Sequence, residues 1–111
     1  MNKFELFCMI YLALDADWEE TGNEELREFL SDMDPFLFKE ITSADPATYA
    51  SFEKHISEEN ISLDKSFEIA KEYLRWVGVP SAIESFELLE EEQWVNATKH
   101  YLQEQHKGST L

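Results

Sequence analysis

The chain has few residues that interrupt helices, form disulfides or carry positive charge. Its 111 residues include three Gly, three Pro, one Cys and nine Lys and Arg. With Cys8 alone, no disulfide can form within the chain, which fits a reducing compartment. The three glycines stand far apart, so no Gly-rich phosphate loop can be assembled from them. The nine bases are scattered and form no stripe, so we expect no direct contact with nucleic acid.

A long hydrophobic run is also missing. The longest one, residues 6–14, is shorter than the roughly 20 residues that a bilayer span requires. It follows Lys3 in the manner of a signal peptide. However, Glu5 and Asp15 bracket it, no small-residue cleavage site is evident, and the amphipathic pattern continues through Trp18. We therefore expect a cytoplasmic protein without a membrane anchor.

Hydrophobic residues recur at spacings of three and four along the whole chain, and alternation with period two is nearly absent. This pattern predicts an all-α fold: a compact single-domain bundle of five to seven short-to-medium helices over residues 1–108, with residues 109–111 as a frayed tail. The first helix begins with a capping box formed by Asn2 and Glu5 and reaches about Glu20. Because it is apolar nearly all round, we expect it at the centre of the bundle.

Cap and breaker residues predict the bounds of the other helices. Two Asp-Pro pairs, at 34–35 and 45–46, each predict a helix start. The first of these helices is expected to end near Ile41 and the second near Ser57. The remaining predicted helices run from Asn23 to Met33, from Ser62 to Gly78, from a Ser81–Glu84 capping box to a break near residues 88–90, and from there past Leu102, with Lys107 and Gly108 as C-terminal signals.

The acidic residues are concentrated in two segments. The formal net charge is −15, of which residues 15–34 carry −8 and residues 84–98 carry −5. We call these segments the first and second acidic blocks. Like charges three or four residues apart cost a helix roughly 0.2–0.5 kcal/mol per pair. Such a concentration therefore indicates a surface that attracts a basic partner, and we expect the two blocks to meet as one negative field.

Aromatic residues near these acids supply candidate anchors for such a contact. Three consecutive apolar residues, 36–38, cannot all face inward on a short helix, so Phe36 and Phe38 are predicted to form an exposed patch. Trp18 and Trp94 continue core stripes, and burial is expected for both. The predicted partner-binding residues are Asp15, Asp17, Glu19, Glu20, Glu24, Glu25, Glu28, Asp32, Phe36, Phe38, Glu87, Glu90, Glu91 and Glu92.

No catalytic signature accompanies the acids, so we predict a protein that is not an enzyme and uses no cofactor or metal. The Glu-x-x-His pairs of di-iron bundles are absent. A loop starting at Asp15 lacks the Gly and Glu that an EF-hand needs at its sixth and twelfth positions. The zincin pattern is absent as well. His55 and His100 lie on predicted helix faces, where we expect structural roles.

In size, charge and helicity the chain resembles the small acidic immunity proteins and DNA mimics. This resemblance implies binding to a basic toxin, nuclease or nucleic-acid-binding protein, with carboxylates standing in for phosphates. No motif carries it, so no functional residue is transferred. Three alternatives stay open: solvated helix faces without a partner, an adaptor domain with an apolar groove for a partner helix, and a metal-dependent hydrolase built from the carboxylates.

Overall fold

Asn2 begins the central helix of the fold. In the computed structural model, which describes residues 1–111, the Asn2 side chain accepts a hydrogen bond from Glu5 N at 2.8 Å. Glu5 Oε1 in turn accepts one from Asn2 N, also at 2.8 Å. The predicted capping box is thereby confirmed. The helix that it opens, α1 (Lys3–Thr21), contacts all five helices that follow it, as expected of a central element.

Five further helices complete the all-α fold, and no strand is present. They are α2 (Glu24–Met33), α3 (Pro46–His55), α4 (Leu63–Val77), α5 (Pro80–Glu87) and α6 (Glu91–Gln103). The radius of gyration is 12.9 Å, close to the ~13 Å expected for one compact unit of this length. The predicted helical bundle is therefore confirmed. None of the six helices has both the length and the apolar character of a membrane span.

Local signals explain several of these bounds. Asn23 Oδ1 accepts a hydrogen bond from Leu26 N at 2.9 Å and so caps the start of α2. Asp45 Oδ1 accepts one from Ala47 N at 3.0 Å at the start of α3, where proline occupies the first turn. Gly78 ends α4 in the left-handed conformation, at φ +78°. These ends agree with the sequence predictions.

The first Asp-Pro pair gives no helix, which corrects the prediction of one through Ile41. Residues 34–45, which we call the apolar loop, contain only turns and bends. The Asp34 side chain accepts a hydrogen bond from Phe36 N at 2.8 Å. This local bond offers the backbone an alternative to the first helical turn. The same dipeptide therefore ends α2 and turns the chain without starting a new helix.

The start of α5 also differs from the prediction. Val79 precedes the helix and Pro80 occupies its first turn, so the expected capping box of Ser81 and Glu84 does not form. Proline suits that position because the first helical N–H has no partner within the helix. Ser81 N donates instead to Glu25 Oε1 on α2, at 2.9 Å. A contact from a distant helix thus replaces the local cap.

The end of the chain folds back onto the bundle. Because α6 already ends at Gln103, Lys107 and Gly108 do not terminate it. Residues 104–108, which we call the C-terminal strap, hold the apolar loop. Lys107 Nζ donates to the carbonyl oxygens of Pro35, at 2.6 Å, and Phe38, at 2.5 Å.

Aromatic rings fill the core around α1. The ring centroids of Phe7 and Phe52 lie 5.1 Å apart, and those of Phe52 and Tyr73 lie 4.7 Å apart. Both pairs are edge-to-face. Trp94 is fully buried, and its indole Nε1 donates to Ser66 Oγ at 2.8 Å. The predicted burial of Trp94 is confirmed. The acids of residues 15–34 and 84–98 lie outside this core, where they are exposed or half-buried.

Candidate functional site

The first acidic block covers the end of α1 and the length of α2. Asp15, Asp17 and Asp34 are half-buried, and its other six acids are exposed. Its one base, Arg27, forms a salt bridge with Glu24 at 3.0 Å. No other acid of the block takes part in a salt bridge. The charge of this surface is therefore largely uncompensated within the protein.

The second acidic block lies on α5 and on the start of α6. Its five acids are all exposed, and none takes part in a salt bridge. Glu90, Glu91 and Glu92 stand at the N-terminal end of α6, where the helix dipole favours negative charge. Glu87 instead borders a shallow pocket together with Lys71 and Arg75. Two basic side chains of α4 therefore stand near this acid, unlike the other four acids of the block.

The two blocks meet where α5 packs beside α1. Two adjoining surface depressions there share Asp17, Ser85 and Leu88 among their lining residues. Glu20 of the first block completes one depression, and Glu84 of the second block completes the other. We call the two together the α1–α5 groove. Carboxylates that are far apart in the sequence thus border one continuous feature.

Glu25 connects α2 to α5 at the edge of this region. Its Oε1 accepts the Ser81 N–H at 2.9 Å, in the first turn of α5. Hydrogen bonds from Ser81 hold the pKa of the Glu25 carboxyl below its usual range. A carboxylate with a lowered pKa keeps its charge to lower pH, so the junction between the blocks stays anionic.

A second depression lies between α1 and α2, and we call it the α1–α2 pocket. Its lining includes Tyr11, Asp15, Trp18 and Asp34. Burial, together with the charges of Asp34 and Asp15, raises the pKa of Tyr11 to about 12. Trp18 packs against the core but is only half-buried, which corrects the prediction that it is buried, and its indole Nε1 has no hydrogen-bond partner. Since Tyr11 packs edge-to-face against Phe36 at 5.8 Å, the pocket adjoins the apolar loop.

The apolar loop presents hydrophobic side chains to solvent. Phe36, Leu37 and Phe38 are 43%, 61% and 47% exposed, and Ile41 is exposed as well. The predicted exposure of Phe36 and Phe38 is confirmed, although a loop presents them rather than a helix. Adjacent exposed apolar residues of this kind are typical of interaction sites.

The geometry therefore brings together some of the predicted residues and adds others. It places Asp15 beside the apolar loop, and it places Asp17 and Glu20 beside the second block. Tyr11 and Ser85 line these depressions but are not among the residues predicted from the sequence. Tyr11 carries a detectable signal, because it stands four residues before Asp15 on the same helical face. Ser85 carries none, since its position in the groove depends on how α5 packs beside α1.

Metal-binding and nucleophilic groups would be the means of any chemistry at this surface. No three His, Cys, Asp or Glu side chains lie close enough to hold a metal ion together. Burial raises the pKa of the Cys8 thiol to about 12, which keeps it protonated near neutral pH. His55 Nε2 is bonded to Glu72 at 2.8 Å and stacks on Trp76 at 4.3 Å. These groups make structural contacts.

Comparisons with known proteins identify no relative. No protein-family model matches the chain. Comparison with curated proteins gave no match, and comparison with solved structures gave none. A role for the chain therefore has to come from the chemistry of its own surface.

Proposed function

We propose that the protein is a non-enzymatic acidic module that binds a basic protein partner. The observation that carries this proposal is the charge balance of the two blocks. Of their fourteen acids, only Glu24 takes part in a salt bridge. Uncompensated like charges oppose compaction of a protein. A partner rich in Lys and Arg would relieve this repulsion and form charge-assisted hydrogen bonds.

The apolar loop supplies aromatic side chains that a partner can bury, which the charged residues alone do not provide. Exposed ion pairs contribute little affinity, whereas buried aromatic side chains dominate binding energy at interfaces. Phe36 packs against Tyr11 of the α1–α2 pocket, which two aspartates and Arg27 line as well. We therefore place the centre of the contact at the apolar loop. The surrounding carboxylates would steer a basic partner onto it and repel acidic ones.

The class of partner follows from the charge that such a surface presents. Carboxylates arrayed on helices resemble the phosphates of a nucleic acid in sign and in hydrogen-bond acceptors. A basic toxin, nuclease or nucleic-acid-binding protein fits this description. Binding would block the partner's own anion-binding surface by steric and electrostatic occlusion. A cytoplasmic location is part of this proposal, since one unpaired cysteine suits a reducing compartment.

A panel of purified basic nucleases, toxins and nucleic-acid-binding domains tests the proposal by calorimetric titration. We expect at least one to bind, with affinity falling at least ~100-fold between about 0.05 M and 0.5 M NaCl because the contact is electrostatic. The variant Phe36→Ser with Phe38→Ser should weaken that binding ~10-fold or more while the protein stays folded.

A pair of charge-matched variants shows whether the surface or only the net charge matters. One variant neutralises three unpaired acids of the first block, with Glu19→Gln, Glu28→Gln and Asp32→Asn. Its control neutralises three exposed acids outside both blocks, with Glu53→Gln, Asp64→Asn and Glu68→Gln. Only the first should lose affinity substantially. Equal losses of affinity in both variants, or an affinity that does not change with salt concentration, would refute the proposal.

A second candidate function rests on Trp76. This exposed side chain of α4 borders an apolar groove with Phe29, Tyr73 and Val77. Such a groove suits an adaptor that holds a partner helix. The two functions predict different behaviour, because apolar docking at Trp76 would vary little with salt. Loss of binding in Trp76→Ser but not in the apolar-loop variant would favour the adaptor.

A further inference from the structure

Ser85 stands where the two acidic blocks meet, and its hydroxyl is unused. The residue is 7% exposed, and its Oγ has no hydrogen-bond partner. A buried polar group without a partner carries a free-energy penalty that a ligand donor can remove. Ser85 lines both halves of the α1–α5 groove, so the residue that carries this unpaired, buried hydroxyl is part of the groove wall.

Three carboxylates border the same groove from two helices. Asp17 and Glu20 come from α1, and Glu84 comes from α5. None of them takes part in a salt bridge within the protein. Leu88, which is exposed between α5 and α6, adds an apolar wall to both halves. The groove therefore combines negatively charged hydrogen-bond acceptors with an unpaired hydroxyl and an aliphatic surface.

We infer that the α1–α5 groove binds the guanidinium group of an arginine side chain presented by the partner. This inference rests on the proposed function and names the chemistry of one contact within it. A guanidinium offers five N–H donors in a planar fork and has no acceptor. In the inferred complex, this fork donates to carboxylates of α1 and α5 and has a further N–H for Ser85 Oγ. Leu88 packs along the aliphatic stem.

The same features discriminate against lysine. An ammonium group is a compact, strongly hydrated charge whose three donors radiate from one atom. It would satisfy one carboxylate and lose hydration without spanning the groove. Because Ser85 Oγ is buried, we expect a local side-chain rearrangement in the groove to accompany binding.

The test uses N-acetyl-arginine amide and N-acetyl-lysine amide as probes, followed by ¹H–¹⁵N NMR at low salt. The arginine probe should shift the amide signals of Ser85, Leu88 and Asp17 and bind at least ~5-fold more tightly than the lysine probe. Glu84→Gln and Ser85→Ala should each weaken arginine binding by about 3- to 10-fold. Glu91→Gln, which alters an acid of the second block outside the groove, should leave it unchanged.

Three results would overturn the inference: equal binding of both probes, shifts spread over the whole acidic surface, or unaltered arginine binding in Ser85→Ala. Glu84 is exposed, so Glu84→Gln keeps the test valid if Ser85→Ala alters the fold. Failure here is distinguishable from failure of the proposed function. The proposed function holds if a basic protein binds the wild type and binds the first-block variant more weakly. This result would stand even if the arginine probe did not bind in the groove.

Discussion

His106 and Glu5 form a buried pair that joins the end of the chain to the start of α1. His106 Nε2 lies 2.5 Å from Glu5 Oε2, and the two side chains are 9% and 10% exposed. The other Glu5 oxygen accepts the Asn2 N–H, and Asn2 Nδ2 donates to Gly108 O at 2.9 Å. One carboxylate thus caps the central helix and holds the C-terminal strap.

This pair predicts that stability depends on pH. Burial by itself lowers the pKa of His106, but hydrogen bonds with Glu5 and the Glu104 carbonyl outweigh it, so the net pKa lies above the ordinary 6.5. Protonated His106 therefore stabilises the folded state fully below pH 6.5, and this contribution is lost as pH rises through the folded-state pKa. The free energy of unfolding should fall over that range.

Urea titrations at a series of pH values from about 6 to about 9 measure this effect. His106→Gln should flatten the pH dependence. His100→Gln, at an exposed histidine that pairs with Glu104, should retain it. If the pH dependence of stability persisted in His106→Gln and disappeared in His100→Gln, the titrating group would be His100, and the prediction would be wrong.

The strap also predicts unequal effects at two glycines of positive φ. At Gly108, φ is +86° and an added Cβ would lie 2.6 Å from Phe4 Cδ2. At Gly22, φ is +64° and nothing lies within 4 Å of that position. Gly22→Ala should cost about 1–2 kcal/mol for the left-handed backbone alone. Gly108→Ala should cost at least ~1 kcal/mol more, because Phe4 is buried and has to move.

Thermal and urea unfolding of both variants check this prediction. The two substitutions add the same side chain to the same class of backbone conformation, so their difference isolates the contact with Phe4. Equal losses of stability would mean that the strap gives way freely. In that case the strap would not hold Phe4 in place.

The two Asp-Pro pairs show how far the sequence determines the fold. Asp45 caps α3 as its dipeptide predicts, whereas Asp34 bonds Phe36 N and leads into the apolar loop. The difference is not local, because Lys107 stabilises the loop from the far end of the chain. Helix periods and caps are properties of neighbouring residues and were predictable. A hydrogen bond across 72 residues was not.

Two buried hydroxyls predict opposite effects of removal. Ser66 Oγ accepts the Trp94 indole N–H, so Ser66→Ala leaves a buried donor unpaired and should cost about 1–3 kcal/mol. Thr98 is fully buried, and its Oγ1 has no hydrogen-bond partner. Thr98→Val keeps the shape and removes that unmet group, so stability should rise by up to ~1 kcal/mol. Urea titration measures both, and a loss in Thr98→Val would reveal a partner for its hydroxyl.

The sequence predicts that the candidate surface is negatively charged, but not which acids lie next to each other on it. Runs of acids on the outer faces of helices become exposed wherever those helices pack, so the exposure of Glu28 followed from its position. That Asp17 borders the same groove as Glu84 depends on the packing of α5 beside α1. Glu87 stands three residues after Glu84, on nearly the same helix face, yet it borders a pocket with Lys71 and Arg75 of α4. Its neighbours therefore depend on how α4 packs against α5, which spacing along the chain does not reveal.

Lys107 predicts that the presentation of the apolar loop depends on the strap. Lys107→Met keeps an apolar stem near Phe4 but removes the donors to the Pro35 and Phe38 carbonyls. Amide hydrogen exchange in residues 34–45 should become at least ~10-fold faster, while exchange in α4 stays as in the wild type. Lys99→Met makes the same change at an exposed site on α6 and should leave the loop protected. Unchanged exchange in Lys107→Met would mean that the loop holds its shape through Asp34 and Phe36 alone, without the strap.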